Sequence, residues 1–79
     1  MLIGRSPRMV TWAPCTLFAD GAAYAAMCTD ISATGARIRF SENFVPPSRC
    51  RIVSAQLGLH REARLSRTNG LDAAYYFAD

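Results

Sequence analysis
Lysine is absent from this chain of 79 residues, and all nine basic side chains are arginine. Histidine is nearly absent too: His60 stands alone beside Arg61. No cysteine–histidine or paired-carboxylate constellation accompanies it, so no catalytic residues and no enzyme are expected. The three cysteines, Cys15, Cys28 and Cys50, cannot all pair within one chain and read as reduced, small, partly buried side chains. Structural zinc sites bring ligands in close pairs, whereas neighbouring cysteines and His60 here lie at least ten positions apart. No metal site and no cofactor are expected. The longest apolar run, Ala22 to Cys28, falls far short of the roughly 20 residues a membrane helix needs, which argues against membrane insertion. Met1-Leu2-Ile3-Gly4-Arg5 meets arginine before a long apolar stretch develops, unlike a secretory leader. A soluble cytoplasmic protein is expected. Five glycines and four prolines are too few for a low-complexity chain.

What is present is the composition of a folded domain, 51% hydrophobic and 19% charged. The length allows one domain only. A net charge of +3 permits an anionic partner without demanding one. Arginine offers a planar fork of donors suited to phosphate or a guanine edge. An all-arginine set also follows from a GC-rich coding sequence, so by itself it names no ligand.

The pattern along the chain is β. Residues 1–10 read as a flexible N-terminal arm, and 11–79 as the folded body. Thr11 to Phe18 reads as a strand that Pro14 confines to an edge or a bulge. Asp20-Gly21 marks a turn, and Ala22 to Thr29 a second strand. In Ala36-Arg37-Ile38-Arg39-Phe40 the apolar residues share one face and the arginines the other, which is the period of a half-buried strand. Asn43 and Pro46-Pro47 define the longest loop. Further strands are expected at Arg49 to Leu57, Glu62 to Arg67 and Leu71 to Phe77, joined by turns at Gly58-Leu59-His60 and Asn69-Gly70. Six short strands without an amphipathic helix predict an all-β chain, closed into a small antiparallel barrel so that no long edge is exposed. With no C-terminal helix to plug it, one barrel mouth is left to solvent or a partner.

Asp30, Ser32 and Gly35 form D-x-S-x-x-G between two strands. A carboxylate accepts paired N–H donors, a hydroxyl donates and accepts, and glycine lets backbone approach a ligand. Those parts suit a purine edge, guanine above all, whose N1–H and N2 amine can donate together to one carboxylate. The bland reading of the same residues is a serine turn linking two strands. Trp12, Tyr24 and Phe40 could serve as stacking platforms for single-stranded nucleic acid. Phe40 falls on the apolar face of its strand, however, so these aromatics read as core or barrel-mouth residues and no DNA or RNA partner is expected.

The run Thr29-Asp30-Ile31-Ser32-Ala33-Thr34-Gly35-Ala36-Arg37-Ile38 resembles the second signature of PilZ domains. The resemblance extends over nearly the whole chain, to the ending Gly70-Leu71-Asp72-Ala73-Ala74-Tyr75-Tyr76-Phe77. It implies a six-stranded PilZ-like β-barrel that acts as a receptor for the bacterial second messenger cyclic di-GMP. In that family an arm bearing R-x-x-x-R clamps guanine and phosphate, while D-x-S-x-x-G holds the dinucleotide on the barrel. The arm here reads Arg5-Ser6-Pro7-Arg8, one residue shorter. The resemblance therefore implies a ligand site of Arg5, Arg8, Asp30, Ser32 and Gly35, supplemented by Arg37 on the next strand. It further implies that ligand binding orders the arm and alters a surface for a protein partner, which the sequence does not identify. The shortened arm motif supports a second reading, a PilZ-like domain that binds no cyclic di-GMP and works as a protein-interaction module anchored by Trp12 and Tyr75-Tyr76.

Overall fold
Most strands of the chain bury alternate side chains over much of their length, and six such strands bury them together only when the sheet curls onto itself. A computed structural model describes residues 7–43 and 45–79 and shows this closure. The strands are β1 (Met9–Ala19), β2 (Ala22–Ile31), β3 (Gly35–Arg39), β4 (Arg49–Ser54), β5 (Leu59–Asn69) and β6 (Asp72–Phe77). All neighbours are antiparallel, in the closed order β1-β2-β3-β6-β5-β4. The described residues contain no helix. Most of the expected arm, Arg5 included, lies outside the described residues, and β1 starts at Met9 rather than Thr11.

The interior is filled by Leu17, Cys28, Ile38 and Ile52, each fully buried, with Phe40 and Tyr75 packed beside them. Burying one such aliphatic side chain contributes about 1.5–3 kcal/mol. Ser54, also buried, donates its hydroxyl to the Pro14 carbonyl at 2.8 Å, and the Tyr75 hydroxyl donates to the Pro47 carbonyl at 2.8 Å. The second bond fastens the long β3–β4 loop to β6. Pro14 lies on the part of β1 beyond the β4 ladder, which pairs only Thr16, Leu17 and Phe18 with Val53, Ile52 and Arg51.

Several boundaries differ from the alternation pattern. β2 runs on to Ile31 rather than ending at Thr29, so Asp30 is a strand residue, and β3 spans Gly35–Arg39 rather than Ala36 to Phe40. β4 ends at Ser54, not Leu57, because the turn occupies Ala55–Gly58. Leu59 and His60 are not in a turn: both belong to β5, where His60 pairs with Val53 and Leu59 is buried. In the β5–β6 hairpin Asn69 pairs with Asp72, so the two-residue loop is Gly70-Leu71 rather than Asn69-Gly70. Gly70 there has φ +63°, and glycine at the first loop position is the type II′ signature. At the β1–β2 hairpin Asp20 itself adopts φ +50°, as a type I′ turn requires.

All three cysteines are buried and free. Burial pushes the Cys15 thiol up to about 12, aided by Cys28 and Cys50, and burial pushes Cys50 up to about 11. The unfolded chain would ionise nearer the ordinary value of 9.0. The stability that neutral thiols contribute is therefore complete below about pH 9 and is lost as pH climbs toward the folded values. Thermal melts between pH 8 and pH 11 should fall in midpoint, and less steeply for Cys15→Ala. A parallel fall in both proteins would show that other groups govern alkaline stability.

Candidate functional site
Two β-bulges shape the end of the barrel where β2 turns into β3. Cys28 faces the core, so strict alternation would point Asp30 inward as well. The β2–β3 register shifts between Cys28 and Asp30, leaving Thr29 as the extra residue. Asp30 is thereby aimed at the outer face, opposite Arg37. The Thr29 hydroxyl donates to the Arg37 carbonyl at 3.3 Å, and the Thr11 hydroxyl to the Cys28 carbonyl at 2.6 Å. Thr11 and Trp12 form the matching bulge in β1, and Trp12 is held there at φ +46° as an exposed residue. A bulky residue at positive φ is a point of local strain.

The Asp30 carboxylate is the electrostatic centre. Arg8 donates to its Oδ1 at 2.9 Å and Arg37 to its Oδ2 at 3.3 Å. The Asp30 side chain is only 13% exposed, against 45% for Arg8 and 37% for Arg37. Two half-exposed guanidiniums thus converge on one sheltered carboxylate. Beyond them the bidentate Arg39–Asp72 pair, at 2.8 and 2.9 Å, ties β3 to β6. The Arg39 hydrogen bonds hold the Asp72 carboxyl below its usual range.

Ser32 works inside the turn. Its N–H donates to the Gly35 carbonyl at 2.8 Å, and its hydroxyl contacts the same carbonyl at 3.4 Å and the Thr34 hydroxyl at 3.3 Å. The Ser32 oxygen accepts the Thr34 N–H at 3.3 Å. Across the turn, Phe77 N–H donates to the Thr34 carbonyl at 2.8 Å, which joins the turn to β6. Gly35 has no room for a side chain: a Cβ would collide with the Tyr75 carbonyl oxygen and lie 3.2 Å from the Tyr76 Cα.

A cleft of about 200 Å³ opens over this turn, lined by Arg8, Ser32, Thr34 and Gly35 on one side and by Ser66, Arg67 and Tyr76 on the other. A groove of about 440 Å³ lies beside the β1–β2 hairpin, among Phe18, Asp20, Arg49, Arg51 and Glu62. Its Arg51 is already bound to Glu62 at 2.8 Å. The smaller cleft is the better candidate, since it joins guanidiniums, hydroxyls and closely approachable backbone.

The family model for the PilZ domain matches residues 4–77. The chain is a PilZ domain. No curated protein and no solved structure gives a match. PilZ domains are a binding and adaptor family rather than an enzyme family, and their general ligand is cyclic di-GMP. Among the described residues of this PilZ domain, no three His, Cys, Asp or Glu side chains come together as metal ligands, and no helix is long and apolar enough to cross a membrane.

Of the six residues singled out from sequence, Arg8, Asp30 and Arg37 are in direct contact, and Ser32 and Gly35 line the same cleft as Arg8. Arg5 lies outside the described residues. Of the aromatic anchors, Trp12 and Tyr76 are exposed, whereas Tyr75 is a core residue at 3% exposure and cannot serve as one. Phe40 is buried and Tyr24 packs against the core, as the core reading expects, but Trp12 of the same trio is exposed. Sequence reasoning missed Thr34, Ser66 and Arg67 in the cleft and named Tyr76 only as a partner anchor. Tyr76 was legible as an exposed aromatic, but the placement of Arg67 depends on a register shift that periodicity does not show.

Proposed function
We propose that this PilZ domain is a cyclic di-GMP receptor that acts as an adaptor in the bacterial cytoplasm. The observation that carries the reading is the sheltered Asp30 carboxylate, held by Arg8 and Arg37 at the edge of the Ser32–Gly35 turn. A guanine N1–H and N2 amine would donate to that carboxylate in place of Arg8. The displaced guanidinium would then turn to a ligand phosphate, with Arg5 as the second arm cation. Exchange of this kind retains a charge-assisted hydrogen bond on both partners, so releasing Arg8 costs little. The exchange replaces the direct Arg8–Asp30 tie between arm and barrel with one that runs through the ligand. The ordered arm and ligand present a new surface to a protein partner. The proposed role requires no cofactor.

Calorimetric titration of cyclic di-GMP into the purified protein tests this, with GTP and cyclic di-AMP as controls. Micromolar or tighter, guanine-specific binding is expected. Arg8→Ala should weaken it about ten- to a hundredfold, the worth of one bidentate arginine contact of about 1–3 kcal/mol. Absence of heat from a folded protein at high ligand concentration would sink the receptor reading and leave a ligand-free interaction module.

A further inference from the structure
We propose that Arg67 is a phosphate-binding residue of this cleft, so that the ligand site extends from the β2–β3 turn across β6 onto β5. The inference rests on the cyclic di-GMP reading and deepens it.

Of the eight described arginines, five are tied to carboxylates: Arg8 and Arg37 to Asp30, Arg39 to Asp72, Arg51 to Glu62 and Arg61 to Asp79. Arg49, Arg64 and Arg67 have no carboxylate partner among the described residues. Only Arg67 of these three lines the cleft. Its position there is the product of a bulge. Ala63, Arg64 and Leu65 pair with Phe77, Tyr76 and Tyr75, and that register continued would set Arg67 opposite Ala73, facing the barrel interior. The shift between Leu65 and Arg67 inserts Ser66 and sets Arg67 opposite Ala74 instead. Bulges re-aim side chains in this way.

The consequence is a row across four strands on the outer face: Asp30 on β2, Arg37 on β3, Ala74 on β6 and Arg67 on β5. Both charged ends of the row, Asp30 and Arg67, reach it only through a one-residue shift of register. Ala74 offers only a methyl group, leaving a low floor between the two arginines. With strands about 4.8 Å apart, Arg37 and Arg67 stand roughly 10 Å from each other at the backbone. Two long side chains can close on one anionic ligand over that distance. Arg37 is partly neutralised by Asp30, whereas Arg67 keeps its full charge for a phosphate, which its planar fork can bind through two N–H groups.

The test is titration of cyclic di-GMP into Arg67→Ala, Arg67→Lys and Arg64→Ala, each checked for an unchanged melting temperature. Arg67→Ala should weaken binding about ten- to a hundredfold, Arg67→Lys should recover part of it, and Arg64→Ala should stay within about twofold of the parent. Equal affinity of Arg67→Ala and the parent would overturn the proposal while leaving the receptor reading intact. If the parent binds no cyclic di-GMP, the receptor reading fails and a second probe decides for Arg67. Inorganic pyrophosphate is then followed through the arginine side-chain Nε–Hε resonances. Selective movement of the Arg67 signal supports an anion site in the cleft, and movement shared equally with Arg49 and Arg64, or none, overturns it.

Discussion

A Gly35→Ala variant is expected to lose both stability and ligand affinity. The added Cβ would run into the Tyr75 carbonyl and crowd the Tyr76 Cα, and both obstacles are backbone atoms of a paired strand. A flexible side chain could step aside; a strand in the middle of a closed barrel cannot. Overpacking of this kind costs about 1–3 kcal/mol or more. In a domain this small each kcal/mol lowers the melting temperature by about 4–8 °C, so a drop of roughly 10 °C is expected. Separation of β3 from β6 would also widen the cleft, because Gly35 and Tyr76 are its facing walls. Circular-dichroism melts and calorimetry on the same sample read the two effects. An unchanged melting curve would mean that the two strands are not as close as the structure has them.

The second large effect is expected at Asp30. Asp30→Ala removes the carboxylate that binds both Arg8 and Arg37 directly. In the proposed complex it also removes the acceptor for two guanine donors. Hydrogen bonds to a charged group contribute about 1.5–3 kcal/mol each, so affinity should fall at least a hundredfold. Stability should change far less, since both arginines are half-exposed and exposed ion pairs contribute about 0–1 kcal/mol. That contrast separates a binding residue from a structural one. Asp30→Asn keeps the shape and one acceptor, and should fall between the parent and the alanine variant. An Asp30→Ala protein that binds cyclic di-GMP as tightly as the parent would remove Asp30 from the site.

Local pattern made most of the fold legible. The alternation in Ala36 to Phe40 placed Ile38 inside and Arg37 and Arg39 outside, and the ladder reproduces it. Hairpin positions followed from Asp20-Gly21 and Gly70, whose backbone conformations few other residues accept. What alternation could not show is where it breaks. Thr29 and Ser66 each add one residue to a strand, and every side chain beyond them changes face. Nothing in the residue types at 28–30 or 65–67 marks a bulge, since Thr and Ser are ordinary strand residues. The start of β5 was misplaced for a related reason. Gly58 ends the turn, but Leu59 and His60 resemble turn and strand equally until the β4 ladder claims them. At the site, D-x-S-x-x-G was readable because its parts lie within six residues. Arg67 belongs to the same cleft from 32 positions beyond Gly35, and only the β3-β6-β5 order brings it there.

The barrel closes through the pairing of β1 with β4, and that ladder spans three residue pairs where β4 and β5 share six. Local opening of a native protein follows its weaker boundaries, and the β1–β4 ladder is the shortest of the six, braced by the Ser54–Pro14 hydrogen bond. In the ring order the β3–β6 boundary lies diametrically opposite that seam. The cleft straddles β3 and β6. Transient unzipping of the cylinder would therefore flex the wall farthest from the site and leave Gly35, Tyr76 and the row from Asp30 to Arg67 in register. In the proposed complex, the ligand would rest on the side of the ring opposite its shortest seam.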